Sequence, residues 1–534
     1  MATVTNPILK GFNPDPSIIR EGDDYYIATS TFEWFPGVQI HHSTDLISWE
    51  LVARPLNRVS QLDMEGLPDS CGVWAPCLSY DKGAFFLVYS VVQQFEDLRG
   101  NTPNYLVTTE DILGEWSEPI PLGNYGFDGS LFHDNDGKKW FTSMQVHPEK
   151  GKIFGGIVVQ EYDHESRQLV GPVNKIFEGT ALGGTEAPHI YQRHGYYYLM
   201  LAEGGTEYGH AITLARSKSL FGPYEVHPKN PIITSRDKPG HPLQKAGHGD
   251  LVETKNGKTY CMFLVGRPLT ELGRCTLGRE TVMAEMQWGK DDWLYGKHGK
   301  SPPTSIEIPK IKSLPPKKSP VKRDNFESTS LDLSFQSLRR PMAEDWMNVN
   351  PEKGCLRLFG EKGLNSLERQ SLVARRVQSF HIEASTSVMF QPKSQGQMAG
   401  LVCYYNTNHW LYAYLTVNEK KQRVLCISIC DKGRLISPLD CLLVNQIGAI
   451  GLKAEFHRDR IQFSMKENGH TWTEVGPELD GSILSDDYVR NEQVKYMPAF
   501  TGAFVGICCQ DLSGNGAYAD FDFFEYQELD HENE

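Results

Sequence analysis

The chain contains no stretch of 18 or more apolar residues, so its sequence predicts no membrane-spanning helix. Basic residues are in deficit as well, because 67 acidic side chains face 53 Lys and Arg, which gives a formal net charge of −14. Nucleic acids and anionic membranes bind basic surfaces, and we therefore expect neither as a partner. The first residues, MATVTNP, lack the basic and apolar segments of a secretory signal, so we expect a cytoplasmic protein.

The sequence also lacks the cysteine spacing of a metal site or a disulfide framework. Its eleven cysteines are scattered, and no two of them form a CxxC pair. We expect free thiols in a reducing compartment.

Aromatic residues make up 11% of the 534 positions, and 49 glycines and 31 prolines supply many turns. This composition favours an all-β protein of short strands. A chain of this length is too long for a single core and suits two domains.

An internal repeat is the most informative feature of the first 300 residues. An apolar run, a turn and an aromatic strand recur, and four copies align on a turn glycine, at Gly83, Gly137, Gly195 and Gly257. The glycines are 54, 58 and 62 residues apart, a period in the range of propeller blades. With a fifth copy at DPSIIREGDDYYIATS, the repeat predicts a five-bladed β-propeller.

One residue in each copy has chemistry that a structural strand does not require. Nine positions before each glycine, and at the matching place in the first copy, lie Asp15, Trp74, Asp128, Glu186 and His248. Since the innermost strands of a propeller surround its axis, we expect these side chains to meet in one pocket.

Three carboxyl groups in one pocket suit glycosidic bond hydrolysis, which needs an acid for the leaving oxygen and a second carboxylate opposite it. A third carboxylate would raise the pKa of the acid. Trp74 and Phe32 offer flat faces for a pyranose ring, and Arg279 offers a bidentate guanidinium.

The pattern changes after residue 300. Six prolines within 301–320 predict a linker or an extended strap between the domains, and alternating short strands follow it. We therefore predict a propeller domain at 3–315 and a β-sandwich domain at 322–534.

Several runs of the sequence resemble glycoside hydrolase family 43, and most of all its two-domain β-xylosidases. The resemblance rests on KGFNPDPSI (10–18), VWAPCLSY (73–80), GFDGSLFHD (126–134), GTEAPH (184–189), LGRETV (277–282) and FTGAFVG (500–506). It implies that the propeller is the catalytic domain and that the second domain is a concanavalin A-like or jelly-roll sandwich that closes the site. It also implies an exo-acting, inverting hydrolase that releases xylose from β-1,4-xylo-oligosaccharides.

The resemblance also implies roles for individual residues. Asp15 matches the general base, Glu186 the general acid, and Asp128 the carboxylate that orients the acid and tunes its pKa. Pocket positions are matched by Phe32, Trp74, Arg279 and Phe504, the last from the sandwich domain. His248 matches an axial histidine that coordinates calcium in some relatives, although the chemistry requires no cofactor. We expect a homo-oligomer, either a dimer or a tetramer.

Two alternatives stay open. The first keeps the mechanism and changes the sugar, giving an α-L-arabinofuranosidase or an enzyme with both activities. Segments that depart from close relatives, after Ser143 and between Gly266 and Arg279, leave this choice of pentose open. The second alternative is a carbohydrate-binding protein without catalysis.

Overall fold

The computed structural model describes residues 1–147, 149, 152–309, 322–467, 471–490 and 498–529. Almost all of its regular structure is β-strand. Within the described ranges, no helix is long and apolar enough to span a bilayer.

The first domain contains twenty-four strands. They are β1 (Ala2–Thr5), β2 (Ser17–Glu21), β3 (Asp24–Thr29), β4 (Trp34–Phe35), β5 (Gln39–Ser43), β6 (Glu50–Ala53), β7 (Gly72–Asp81), β8 (Ala84–Val92), β9 (Asn104–Thr109), β10 (Ile120–Pro121), β11 (Gly126–His133), β12 (Lys139–Val146), β13 (Phe154–Asp163), β14 (Gln168–Phe177), β15 (Glu186–Arg193), β16 (Tyr196–Glu203), β17 (Ala211–Ser217), β18 (Glu225–Val226), β19 (Ile233–Thr234), β20 (Gln244–Glu253), β21 (Thr259–Gly266), β22 (Arg279–Trp288), β23 (Leu294–Gly296) and β24 (Ser305–Ile308).

These strands form five antiparallel blades, which confirms the predicted propeller. The blades are β2-β3-β5-β6, β7 to β10, β11 to β14, β15 to β18 with β19 beside β17, and β20 to β23. A separate pair joins β1 to β24, with Ala2 opposite Ile308. Because β24 lies inside the segment predicted as a linker or an extended strap, residues 305–308 are a paired strand and not a free linker.

Each inner strand has, within it or just before it, a residue in the left-handed region of backbone space. These residues are Asp15, Ala75, Asp128, Ala187 and His248, with φ of 53°, 37°, 55°, 51° and 47°. In the last four blades the residue is the extra one of a β-bulge, and proline or glycine follows it. The bulge turns the start of each strand toward the axis.

The bulge residues and the residues predicted to meet at the axis coincide in the blades of β11 and β20 but differ by one position in the blades of β7 and β15. The hairpins after β7 and β15 close through two residues, whereas those after β11 and β20 close through five. Counting back from the turn glycine therefore reaches Trp74 and Glu186, each one residue before its left-handed neighbour. These two side chains still lie at the heads of their strands.

The second domain contains the remaining elements. They are β25 (Arg323–Asp324), β26 (Gln336–Leu338), β27 (Met347–Asn350), β28 (Cys355–Phe359), β29 (Leu372–Arg376), β30 (His381–Phe390), β31 (Gln397–Asn406), β32 (His409–Val417), β33 (Arg423–Asp431), β34 (Arg434–Ile436), β35 (Leu442–Leu443), β36 (Ile450–His457), β37 (Arg460–Glu467), β38 (Thr473–Asp480), a 3-10 turn (Gly481–Ile483), α1 (Asp486–Arg490), β39 (Phe504–Asp511) and β40 (Tyr518–Glu528).

Two packed sheets make this domain the predicted sandwich. One has the order β27-β28-β40-β30-β36-β37-β38, and the other β34-β33-β32-β31-β39-β29-β26-β4. Alternate side chains such as Ile382, Leu452 and Leu401 fill the core between them.

The second sheet ends on a strand of the propeller domain, since β4 pairs with β26. Trp34 of β4 stacks on Phe504 with ring centroids 3.6 Å apart. The two domains therefore share one sheet and one aromatic core. The predicted boundary at residue 315 lies outside the described residues.

One cysteine pair departs from the expectation of free thiols. Cys426 and Cys441 form a disulfide, while the other nine cysteines are buried and free. Pairing of β33 with β35, with Leu425 opposite Leu442, brings the two sulfurs together. The two cysteines are 15 residues apart, and this spacing does not predict a disulfide from the sequence.

Candidate active site

Asp15 is the best-connected carboxylate at the propeller axis. Its Oδ2 accepts a hydrogen bond from Ser30 Oγ at 2.6 Å, and its Oδ1 accepts one from Arg279 Nη1 at 3.2 Å. His248 Nδ1 lies 3.6 Å from the same Oδ1. Asp15 and Arg279 are 4% and 5% exposed, so this is a buried ion pair that positions the Asp15 carboxylate.

Asp128 is the second carboxyl group, and its surroundings favour the protonated form. Burial, and then the charge of Asp15, raise its pKa to about 8. The Ala187 N–H, Arg279 and His189 act in the opposite direction. An axial void of about 10 Å³, the size of one water molecule, lies among Asp15, Asp128 and His189.

Glu186 is the third carboxyl group and is partly exposed at the head of β15. Burial of the carboxyl group raises its pKa well above the ordinary value, and the charges of Asp128 and Asp15 add to this effect. Since only Arg279 opposes the shift, the pair of Asp128 and Glu186 retains a proton near neutral pH. A carboxyl group that is protonated at neutral pH can act as a general acid.

The structure brings His248 to Asp15 but does not make it a calcium site by itself. Burial lowers the pKa of His248 to about 4, against the charge of Asp15, so the ring is neutral. Calcium takes six to eight oxygen ligands. The Asp15 carboxylate beside His248 is already bonded to Ser30 and Arg279, so the described side chains fit calcium poorly.

Among the described residues, a cluster of potential metal ligands lies away from His248, and the ammonium group of a lysine occupies it. Cys275, Asp486 and Asp487 are close together, but Lys245 Nζ lies 2.8 Å from oxygens of both aspartates. Because Asp486 and Asp487 begin α1, this cluster ties the helix of the sandwich to the propeller.

Aromatic rings from both domains form a wall beside the carboxyl groups. Phe32 lies 5.8 Å from Trp74 and 5.8 Å from Phe500, and Trp74 meets Phe500 edge-on at 5.3 Å. Arg279 lies over Phe32 and Phe500, with its guanidinium carbon 5.4 Å from each centroid. The arginine therefore joins the Asp15 carboxylate to this wall.

Phe500, and not Phe504, is the sandwich residue at the site. Phe504 is fully buried in β39, where it stacks on Trp34 and meets Phe12 at 6.0 Å. Both residues belong to FTGAFVG, and strand alternation alone does not distinguish them. The segment before β39 crosses to the propeller, and Arg279 Nη2 donates to the Phe500 carbonyl at 3.2 Å.

Thr206 was not predicted either, and it shares the Arg279 guanidinium. Arg279 Nη1 donates to Thr206 Oγ1 at 3.0 Å as well as to Asp15. Thr206 lies in the glycine-rich run EGGTEYG, which has no strand pattern that would mark it.

Comparisons with known proteins agree with this geometry. The profile of glycosyl hydrolases family 43 matches residues 4–294, and that of the beta xylosidase C-terminal concanavalin A-like domain matches residues 323–527. The chain belongs to glycosyl hydrolase family 43. It is a glycoside hydrolase with the catalytic propeller and the sandwich domain of that family.

Three proteins match this chain along nearly their whole length. "Xylosidase/arabinosidase 43B" of Humicola insolens is 48% identical, over 99% of both chains. "Beta-xylosidase" of Bacillus subtilis is 47% identical, over 98% of this chain and 99% of the relative. The crystal structure of xylan beta-1,4-xylosidase from Bacillus halodurans superposes with a TM-score of 0.94 at 47% identity, covering 98% of this chain and 100% of that one.

The raised pKa of Asp128 predicts a pH-dependent stability difference. In the unfolded chain this group ionises near 3.8, whereas in the folded protein it ionises near 8, so folding stability falls as the pH rises through this window. We expect Asp128→Asn to melt at a higher temperature than wild type at pH 8, with a gap that closes toward pH 4. Melting curves from pH 4 to 8.5 measure this gap. The exposed Asp136→Asn is the control, and a gap that does not change with pH would contradict the assignment.

The two phenylalanines of FTGAFVG predict opposite phenotypes. We expect Phe500→Ala to lower kcat/KM by about tenfold through loss of aromatic contact at the site. We expect Phe504→Ala to cost about 3–5 kcal/mol of stability, because it empties a buried site. Kinetics on an aryl glycoside and melting curves for both variants test this. Normal kcat/KM in Phe500→Ala would remove Phe500 from the site.

Proposed function

We propose that the protein is an exo-acting, inverting glycosidase that releases terminal xylose from β-1,4-xylo-oligosaccharides. One observation carries the proposal: an ion-paired carboxylate, Asp15, shares a buried site with two carboxyl groups of raised pKa. Single-displacement hydrolysis needs this asymmetry, since the base has to be charged and the acid has to carry a proton.

In the proposed reaction Asp15 accepts a proton from a water molecule while the water oxygen forms a bond to the anomeric carbon. The glycosidic bond breaks at the same time, and its oxygen takes the proton of Glu186. The new hydroxyl group arrives on the face opposite the leaving group, so the configuration inverts. Inversion requires room for the water, with the two carboxyl groups ~6.5–9.5 Å apart.

Asp128 acts on the acid and not on the sugar. When Asp128 is ionised, its charge raises the pKa of Glu186 further. Its carboxyl group also accepts the N–H of Ala187, the residue after Glu186. Both contacts favour a protonated Glu186 at a fixed place.

Arg279 orients the base and the wall together. Its bonds to Asp15, Thr206 and the Phe500 carbonyl come from one planar fork. Because Phe500 belongs to the second domain, the sandwich domain covers part of the site. A covered site admits the end of an oligosaccharide chain more readily than its middle. This supports exo-action.

The choice of xylose rests on the relatives, which are named for xylosidase activity. One of them is named for arabinosidase activity also, so an α-L-arabinofuranosidase or an enzyme with both activities is the alternative. The same carboxyl groups would serve either pentose.

The finer expectations on partners stay predictions. A dimer or tetramer is supported by apolar side chains along the β34–β35 edge of the sandwich, where Leu435, Leu443 and Ile447 are 67%, 62% and 74% exposed. A cytoplasmic location also stays a prediction, whereas the described side chains around His248 do not support the predicted calcium.

The leaving group separates the roles of the two catalytic carboxyl groups. Nitrophenolate departs without a proton, whereas the oxygen of xylobiose needs one. We therefore expect Glu186→Ala to lose activity on xylobiose by on the order of 10²–10⁴-fold and much less on 4-nitrophenyl β-D-xyloside. Asp15→Ala should lose activity on both substrates.

Assays of wild type on 4-nitrophenyl α-L-arabinofuranoside and on the xyloside determine which pentose the enzyme releases. Glu165→Ala, at an exposed position, is the matched control for Glu186→Ala. Wild-type activity on the arabinoside alone would move the substrate to arabinose. No wild-type activity on either glycoside would contradict the proposal.

A further inference from the structure

One further aromatic ring extends the wall of the candidate active site. Phe95 lies between β8 and β9 of the second blade, and its ring centroid is 6.2 Å from that of Trp74 and 6.0 Å from that of Phe500. Among the described residues, these are the two wall rings that Phe95 contacts. The ring therefore continues the aromatic surface on the side of the wall that Trp74 and Phe500 form.

The three wall rings and Phe95 differ in burial. Phe32 is 2% exposed and lies against the guanidinium of Arg279. Trp74 and Phe500 are 8% and 7% exposed, whereas Phe95 is only partly buried. Phe32 is thus the innermost ring, and Phe95 is the outermost one, nearest to the solvent.

The segment that carries Phe95 is a closed loop. The N–H of Gln93 donates to the carbonyl of Asn101 at 2.9 Å, and Asn101 Nδ2 donates to the carbonyl of Asp97 at 2.6 Å. Leu98 is 5% exposed and packs into the hydrophobic core behind the wall. These contacts fix the backbone around Phe95, so its ring has a defined place at the edge of the wall.

One buried residue fixes the two rings beside Phe95. Trp74 Nε1 donates to the carbonyl of Ser70 at 3.0 Å, and the N–H of Phe500 donates to Ser70 Oγ at 3.1 Å. Ser70 itself is fully buried. A sugar that packs against this part of the wall therefore meets a preformed surface, and little conformational entropy is lost in ordering it.

We propose that Phe95 is a specificity-determining residue that binds the second sugar of the substrate, the one that leaves. This role rests on the proposed function, in which the terminal sugar lies beside Asp15 and Glu186. Since an exo-acting enzyme receives its substrate by one end, the second sugar lies closer to solvent than the first. Phe95 is the wall ring at that depth, and its flat face can pack against a pyranose ring.

The test compares a substrate that has a second sugar with one that has none. Xylobiose carries a second xylose, whereas β-D-xylopyranosyl fluoride has only fluoride as its leaving group. We expect Phe95→Ala to lower kcat/KM for xylobiose by about tenfold, mainly through a higher KM. For the fluoride, kcat/KM should stay within about twofold of wild type, which also shows that the variant is folded.

Three further variants serve as controls. Phe95→Trp keeps an aromatic face and should keep the wild-type ratio of the two kcat/KM values. Phe500→Ala should lower kcat/KM for both substrates, because Phe500 also lies against the Arg279 guanidinium. Phe221→Ala, at a ring that is 49% exposed, should change neither value.

Two results in Phe95→Ala would overturn the role of Phe95 and leave the proposed function intact. One is an equal loss of kcat/KM on the two substrates, and the other is no loss on xylobiose. A wild-type enzyme that hydrolyses neither substrate would instead overturn the proposed function, and the role of Phe95 with it.

Discussion

The site depends on a backbone constraint that recurs within or just before every inner strand of the propeller. A single residue in left-handed conformation, followed by proline or glycine, bends each strand where it meets the propeller axis. Such a conformation costs a non-glycine residue about 1–3 kcal/mol. In two blades the residue is a carboxylate, Asp15 or Asp128, so the strain is located where the chemistry takes place. Glu186 reaches the same space from the residue before Ala187.

Crowding of these carboxyl groups has an electrostatic consequence. Three acids in one site cannot all be ionised, and among the described residues a single guanidinium, that of Arg279, bonds to one of them. Asp15 thus forms the ion pair, while Asp128 and Glu186 have raised pKa values. One charged and one protonated carboxyl group are the two states that inverting hydrolysis needs, and the arrangement lowers stability at high pH in order to obtain them.

The sequence predicted the blades because hairpins with turn glycines repeat along the chain, and it predicted the three carboxyl groups from their place in that repeat. It missed what depends on loop length and on contacts between distant segments. The register of Trp74 and Glu186 depends on two-residue turns, and Phe500 rather than Phe504 reaches the site because the segment before β39 crosses to the propeller. The Cys426–Cys441 disulfide likewise forms only when separate strands meet.

The central claim is that Asp15 activates water for a single displacement, with Glu186 as the acid. Proton NMR of the first sugar released from a β-xyloside, recorded before mutarotation, tests it most directly. The account predicts that α-xylose appears first and that the β-anomer grows in afterwards. Initial release of β-xylose would contradict it, since that result requires a covalent intermediate on one of these carboxylates.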